Sequence, residues 1–131
     1  MALRLNSFGF KVYATVLNAK STGTQQLNKN AIIADQMYVL QMDVTNDGDV
    51  LQVYEKVKQD LERSGHQLWA VVNNAGINSL APLEWGSIDN YYKHFEVMVF
   101  GTVRVTRVFL PLVRTSKGQG FNKVQFIHQL F

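Results

Sequence analysis

Cysteine is absent from the 131 residues, which excludes a disulfide scaffold and a cysteine-ligated zinc site. The three histidines, His66, His94 and His128, are too dispersed to suggest a metal site. Proline occurs only twice, and no internal repeat or low-complexity linker interrupts the chain. Long apolar runs are missing as well. The longest, Val97 to Val113, is broken by Arg104 and Arg107, so no segment offers the ~20 apolar residues that span a bilayer. The opening residues lack the apolar core of a signal peptide. A strong charge of one sign is also lacking: 13 Lys and Arg face 10 Asp and Glu, a formal +3, with the signs interspersed. That pattern reads as solvated helix faces, not as a nucleic-acid patch. With 47% hydrophobic and 18% charged residues, the chain has the balance of one globular domain with a modest core.

The most informative stretch present is Leu68-Trp69-Ala70-Val71-Val72-Asn73-Asn74-Ala75-Gly76-Ile77. Five apolar residues in a row suit a strand covered on both faces of a parallel sheet. The asparagines and glycine that follow place polar side chains and bare backbone at its carboxyl end, where ligands of open α/β sheets sit. Glycine at 76 permits a positive φ and a close backbone approach. A tight βα turn with no ligand is the alternative reading.

Strand and helix patterns alternate along the chain, the signature of an α/β fold. Phe10 to Leu17 reads as a strand after the Gly9 break, residues 24 to 34 as weakly helical, and Met37 to Met42 as a second strand closing in Asp43-Val44-Thr45. Asn46 to Asp49 offers several N-caps for a helix that buries Val50, Val53, Tyr54, Val57 and Leu61 and stops at Ser64-Gly65. After the strand at 68–72 and a loop holding Pro82 and Trp85, Ser87 or Asp89 caps a long helix with a stripe of Phe95, Val99, Thr102, Thr106, Phe109 and Val113. Val124 to Ile127 is a last short strand candidate.

Four pieces, Gly9-Phe10-Lys11-Val12-Tyr13-Ala14, Asp43-Val44-Thr45, Asn73-Asn74-Ala75-Gly76 and the helix around Phe100-Gly101-Thr102, occur in the order of the short-chain dehydrogenase/reductase family, which this chain resembles over about residues 2 to 118. Pro82-Leu83-Glu84-Trp85 and the Phe-Gly-Thr helix look most similar to the retinol, 17β-hydroxysteroid and 3-hydroxybutyrate dehydrogenase branch. The resemblance implies an incomplete Rossmann-type, doubly wound parallel sheet over residues 1–131, lacking the first strand, the glycine-rich turn and the catalytic half. It implies NAD or NADP as cofactor, with a lean to NAD, and a secondary alcohol or ketone of a lipid-like substrate such as a steroid or retinoid. Asp43 would accept a hydrogen bond from the adenine amino group, with Val44 beside it, although a turn or cap role is the alternative for Asp43. Asn74, Ala75 and Gly76 would pass under the ribose. Thr15 falls where a family member places an acidic residue for the ribose hydroxyls or a basic one for a 2′-phosphate, and threonine decides neither. A homodimer through helix 87–114 is implied too. Compartment and membrane association stay open, since the branch includes mitochondrial and membrane-associated members.

The departures are as informative. The family's Thr-Gly-x3-Gly-x-Gly turn, which holds the cofactor pyrophosphate, does not occur, and Ala2 to Gly9 looks like the tail of the helix that follows it. No serine follows Ser116 and no tyrosine follows Tyr92, so the family's serine and Tyr-x3-Lys acid/base pair are missing. Tyr54-x3-Lys58 precedes the Asn-Asn-Ala-Gly turn, with Tyr54 on an apolar stripe, and is rejected as catalytic. Met98 stands where the family helix carries an asparagine that holds a water of the proton relay, and a thioether cannot donate a hydrogen bond. Residues 118 to 131 diverge from the family's catalytic strand, which suggests an aberrant end such as a shifted frame or retained intron. Without its central strand the sheet is expected to have a gap, exposed apolar edges and poor solubility.

Overall fold

The computed structural model of the chain describes residues 1–77 and 85–116, with the backbone of 123–130. The Pro82-Leu83-Glu84 part of the family-like run and the divergent stretch 118–122 lie outside the described residues. In chain order the elements are α1 (Ala2–Ser7), β1 (Lys11–Val16), α2 (Thr22–Asn30), a short 3₁₀ turn (Ala34–Gln36), β2 (Met37–Gln41), α3 (Asp47–Ser64) and β3 (Gln67–Val72). They are followed by α4 (Ile88–Phe95), a π-helical segment (Glu96–Gly101), α5 (Thr102–Thr115) and β4 (Lys123–Leu130).

The helix ends follow local chemistry. The Asn46 side chain accepts from the backbone N–H of Gly48 and Asp49 at the start of α3, and Gly65 ends that helix in the left-handed region with φ 68°. Gly9 does the same after α1 with φ 82°, its N–H bonding to the Asn6 carbonyl at 3.0 Å. The residues expected to be weakly helical from 24 to 34 form a nine-residue helix instead, starting at Thr22, because the Ser21 hydroxyl caps it by accepting from the Thr24 N–H.

The strands form one four-stranded sheet, all pairs parallel, in the order β2-β1-β4-β3. β1 is buried at every position. Its residues alternate between two cores: Val12, Ala14 and Val16 pack with Ala2 of α1, Leu27 of α2 and Met37. Tyr13 packs on the other face with Met42, Val44, Leu68, four residues of α3 and Val105 and Phe109 of α5. Helices thus cover both faces, as the doubly wound expectation required.

The expected gap is absent. β4 lies between β1 and β3, with Tyr13 opposite Phe126 and Val71 also opposite Phe126, and it runs from 123 to 130 where the sequence suggested only 124–127. This filling has an unusual connection. β1-α2-β2 and β2-α3-β3 step in opposite directions along the sheet with their helices on opposite faces, so they share a hand. The link from β3 through α4 and α5 to β4 steps back toward β1 while α5 stays on the face of α3, which gives it the opposite hand. Parallel crossovers are right-handed in about 98% of cases. An apolar edge does remain at β3, where Trp69 is 56% exposed.

The long helix also differs from its expected stripe. Only Phe109 of the six stripe residues is buried, with Gly101 and Val105 beside it, while Phe95 and Val99 are exposed. The π-helical segment accounts for Phe95 and Val99, because its wider turns rotate the residues before it away from the face set by α5, while within α5 the buried face is centred on Val105 and Phe109.

Candidate functional site

The carboxyl end of β2 leads into a turn with little freedom. The Met42 N–H donates to the Val16 carbonyl at 2.9 Å, which keeps the chain beside β1 for one residue past the strand. The Asp43 N–H then donates to Asp49 Oδ2 at 3.0 Å, tying the turn to the first turn of α3. Asp43 Oδ1 accepts both the N–H of Thr45 at 2.9 Å and its hydroxyl at 2.7 Å, an Asx-type turn. One carboxylate oxygen is therefore spent on the turn. The other, Oδ2, has no partner among the described residues, and Asp43 is only half-buried. Asp43 is thus both a turn residue and an available anionic acceptor.

Val44 follows, 2% exposed, and closes the apolar cluster from above. Gly101 of the π-helical segment lies directly against it: a Cβ on Gly101 would stand 2.8 Å from Val44 Cγ2. A glycine is needed there for close approach rather than for any unusual dihedral. The Arg104 guanidinium reaches the same turn, with Nη1 donating to the Val44 carbonyl at 2.6 Å, Nε to Asp47 Oδ1 at 2.5 Å and Nη2 to Glu96 Oε1 at 3.0 Å. Burial works against its charge, but the hydrogen bonds of Glu96 and Asp47 outweigh this and raise its pKa.

The second loop, after β3, is held to α5 by a hydrogen bond from Asn73 Nδ2 to Thr106 Oγ1 at 3.1 Å. Asn74 is exposed, while Ala75 and Gly76 are half-buried. Ala75 packs on the cluster that contains Val44, so the two loops share one support. The glycines with positive φ among the described residues are Gly9 and Gly65, so Gly76 does not use the conformation expected of it. Thr15 also departs from expectation. At 1% exposure its side chain is enclosed in the sheet and not offered to a ligand, because the inward alternation of β1 continues to its end. Met98 lies in the π-helical segment, 50% exposed, and its carbonyl accepts from the Thr102 hydroxyl at 2.8 Å. Tyr54 packs edge-on against Phe109, ring centroids 5.5 Å apart.

Sequence reasoning missed Asp49, Arg104 and Thr106. Asp49 stood among the N-cap candidates, and Arg104 counted only as a break in an apolar run. The signal available for Arg104 was a cationic side chain three residues after Gly101 in a largely apolar run, with Arg107 one turn on.

A parallel, doubly wound sheet with an acidic turn after one strand and an Asn-Asn-Ala-Gly turn after another defines a Rossmann-type chain. The comparisons with known proteins narrow this. The family described as short chain dehydrogenase matches residues 1–121, and the chain belongs to that family. It is 41% identical over 124 residues to estradiol 17-beta-dehydrogenase 2 of Mus musculus, covering 93% of this chain and 31% of that protein. The mitochondrial D-beta-hydroxybutyrate dehydrogenase of Bos taurus is 36% identical, with 93% and 36% covered. The 11-beta-hydroxysteroid dehydrogenase type 2 of Homo sapiens is 38% identical over 119 residues, with 90% and 28% covered. The chain therefore spans about a third of the length of these curated relatives. Among solved structures, its fold is similar to NADPH-bound carbonyl reductase from chicken fatty liver, with a TM-score of 0.72 at 20% identity, covering 87% of this chain and 45% of that one. Serine dehydrogenase from Escherichia coli gives a TM-score of 0.71 at 23% identity, with 97% and 53% covered.

Proposed function

We propose that this chain carries the adenosine-binding part of an NAD(P)-dependent oxidoreductase that interconverts a secondary alcohol and a ketone on a lipid-like substrate such as a steroid or retinoid. The observation that carries the reading is the Asp43 turn: a carboxylate fixed through one oxygen, with the other open and half-buried at the carboxyl end of β2. Such a group suits the amino donor of adenine. The Val44 backbone stands beside the base in this reading, its side chain being enclosed in the core, and Asn74, Ala75 and Gly76 provide the small turn for the ribose. Thr15 is withdrawn from the set by its burial. With neither an acidic nor a basic residue in its place, a preference for NAD over NADP is only a lean. The bound cofactor would supply hydride exchange. No serine follows Ser116 and no Tyr-x3-Lys follows β3, so in this reading the groups that polarise the carbonyl and move its proton are ones that this sequence does not contain. The pyrophosphate likewise has no glycine-rich cradle.

The test is titration of the chain with NAD, NADP and AMP, followed by calorimetry. Weak binding of all three is expected, and Asp43→Ala should lower affinity by about ten- to a hundred-fold, the value of one hydrogen bond to a charged acceptor. Equal affinity of wild type and variant would sink the assignment.

A second reading, a non-catalytic chain acting through its long helix, is favoured by one observation. Ile88, Tyr92, Phe95, Val99 and Val103 are between 44% and 66% exposed and recur every three or four residues. This stripe supports a homodimer through helix 87–114, and sedimentation of the chain at rising concentration would test it. A species that stays monomeric throughout rules it out.

A further inference from the structure

We infer that Arg104 is the positioning residue for the base-recognising turn Asp43–Val44, setting how well the site distinguishes adenine from other purines. The inference rests on the adenine assignment above and deepens it. Three of the guanidinium's nitrogens are engaged, each with a different element: Nη1 with the Val44 carbonyl, Nε with Asp47 in the first turn of α3, and Nη2 with Glu96 at the start of the π-helical segment. A planar fork with fixed donor directions can hold three acceptors in one geometry, which a flexible ammonium cannot. The side chain is 20% exposed, so it is sheltered enough for these bonds to be directional and still reached by solvent.

The turn has two further restraints, but neither fixes it against the long helix. Asp49 holds the Asp43 N–H and Thr45 holds Oδ1, both from within the β2–α3 connection itself. Gly101 allows Val44 to come close to the π-helical segment without bonding it there. Arg104 is the polar link between them among the described residues. Its hold on the Val44 carbonyl orients the Val44–Thr45 peptide, whose N–H bonds Asp43 Oδ1, and hence sets where Oδ2 points. Glu96 and Arg104 also bracket the π-helical segment, so an irregular stretch of helix is braced against the turn it supports. Loss of the brace should release the turn while the Asx-type bonds keep it folded.

The experiment compares affinity for NAD with affinity for its hypoxanthine analogue, which carries an oxo group where adenine has the amino group. Wild type is expected to favour NAD by about tenfold, since the analogue leaves Asp43 facing an acceptor. Arg104→Met should bring this ratio to within about twofold, and Arg104→Lys should leave an intermediate value. A merely structural role would lower the folded fraction and reduce both affinities together, leaving the ratio unchanged. Should Arg104→Met fail to fold, Glu96→Gln serves instead, because it loosens the fork without removing it and should also lower the ratio. A wild-type ratio near one overturns the adenine assignment and the inference with it. A wild-type preference preserved in a folded Arg104→Met or Glu96→Gln variant overturns the role of Arg104 alone.

Discussion

Gly101→Ala tests the contact between the long helix and the Asp43–Val44 turn, and its sign is decided by two opposed magnitudes. In an ordinary exposed helix, alanine would be favoured over glycine by about 1 kcal/mol. Here the new methyl would meet Val44 Cγ2 at 2.8 Å, Val44 Cβ at 2.9 Å and the Glu96 carbonyl oxygen at 3.3 Å. Val44 has nowhere to retreat, since it is 2% exposed and backed by Met42, Val50 and Val105, each fully buried. Overpacking of this kind costs about 1–3 kcal/mol, which outweighs the propensity gain. A net loss of about 1 kcal/mol is expected, measured by urea unfolding followed through tryptophan fluorescence. Val44→Ala alone removes two buried methyl groups and should cost about 2 kcal/mol. In the double variant the Cγ2 clash is gone, so the two losses should fall short of additivity by about 1 kcal/mol. Additive losses, or a Gly101→Ala chain more stable than wild type, would refute the claim that helix and turn are in fixed contact.

Two further predictions concern the opposite end of the sheet and the helix start. Asp60 on α3 receives hydrogen bonds from Lys11 and from the Tyr13 hydroxyl, both buried on β1, and Lys11 also lies over the Tyr38 ring. Asp60→Asn should cost about 2–3 kcal/mol, below the ~3–5 of a fully buried pair because the Asp60 side chain is 26% exposed. Burial pushes the Asp60 carboxyl up, but the bonds from Lys11 and Tyr13 prevail and lower its pKa. A lowered folded-state pKa contributes stability above the unfolded value of ~3.9 and loses it as pH falls through the folded value, so the acid limb of a stability–pH curve should flatten in Asp60→Asn. At the alkaline end, burial and the Asp60 carboxylate both raise the Tyr13 pKa, so stability should decline as pH climbs above the ~10 of free tyrosine. Parallel wild-type and variant curves would contradict both assignments. Asn46→Ala removes the cap of α3 and should lower stability by about 1 kcal/mol in the same urea assay, with no loss if another residue caps the helix.

What could be read from the sequence was what depends on short-range pattern. Of the α3 stripe, Val50, Val53, Val57 and Leu61 are buried as their spacing required and Tyr54 is half-buried, and Asn46 and Gly65 bound the helix as their chemistry suggests. The long helix escaped the same reasoning because a 3.6-residue period assumes unbroken α-geometry, and the segment Glu96–Gly101 winds differently. Thr15 stands near the end of β1 as expected, but its enclosure was not legible. Helices cover both faces of β1, so the strand is buried to its last residue whichever face a residue takes. The turn role of Asp43 was legible because Asp-x-Thr after a strand is a local pattern, while its place in a base site came from the family resemblance. Its support by Arg104 was not legible, since that contact joins residues sixty apart and no local pattern announces it.

The position of β4 limits what the site can be. A central parallel strand delivers its carboxyl end to the crevice between the loops of its neighbours, and here Leu130 pairs with Val16 at that edge. The loops after β2 and β3 belong to the two outer strands of the sheet, so a ligand touching both Asp43 and Asn74 must pass over the ends of β1 and β4. The crossover that brings β4 there has the uncommon hand, and its pairing is irregular on both sides, between Thr15 and Val16 and between Leu68 and Ala70. Both features weaken the central strand relative to β1, whose pairing with β2 is regular over five residues. The acidic turn, braced by Asp49, Thr45 and Arg104, is therefore the firm part of the site, and recognition by this chain should depend on the base far more than on the phosphates.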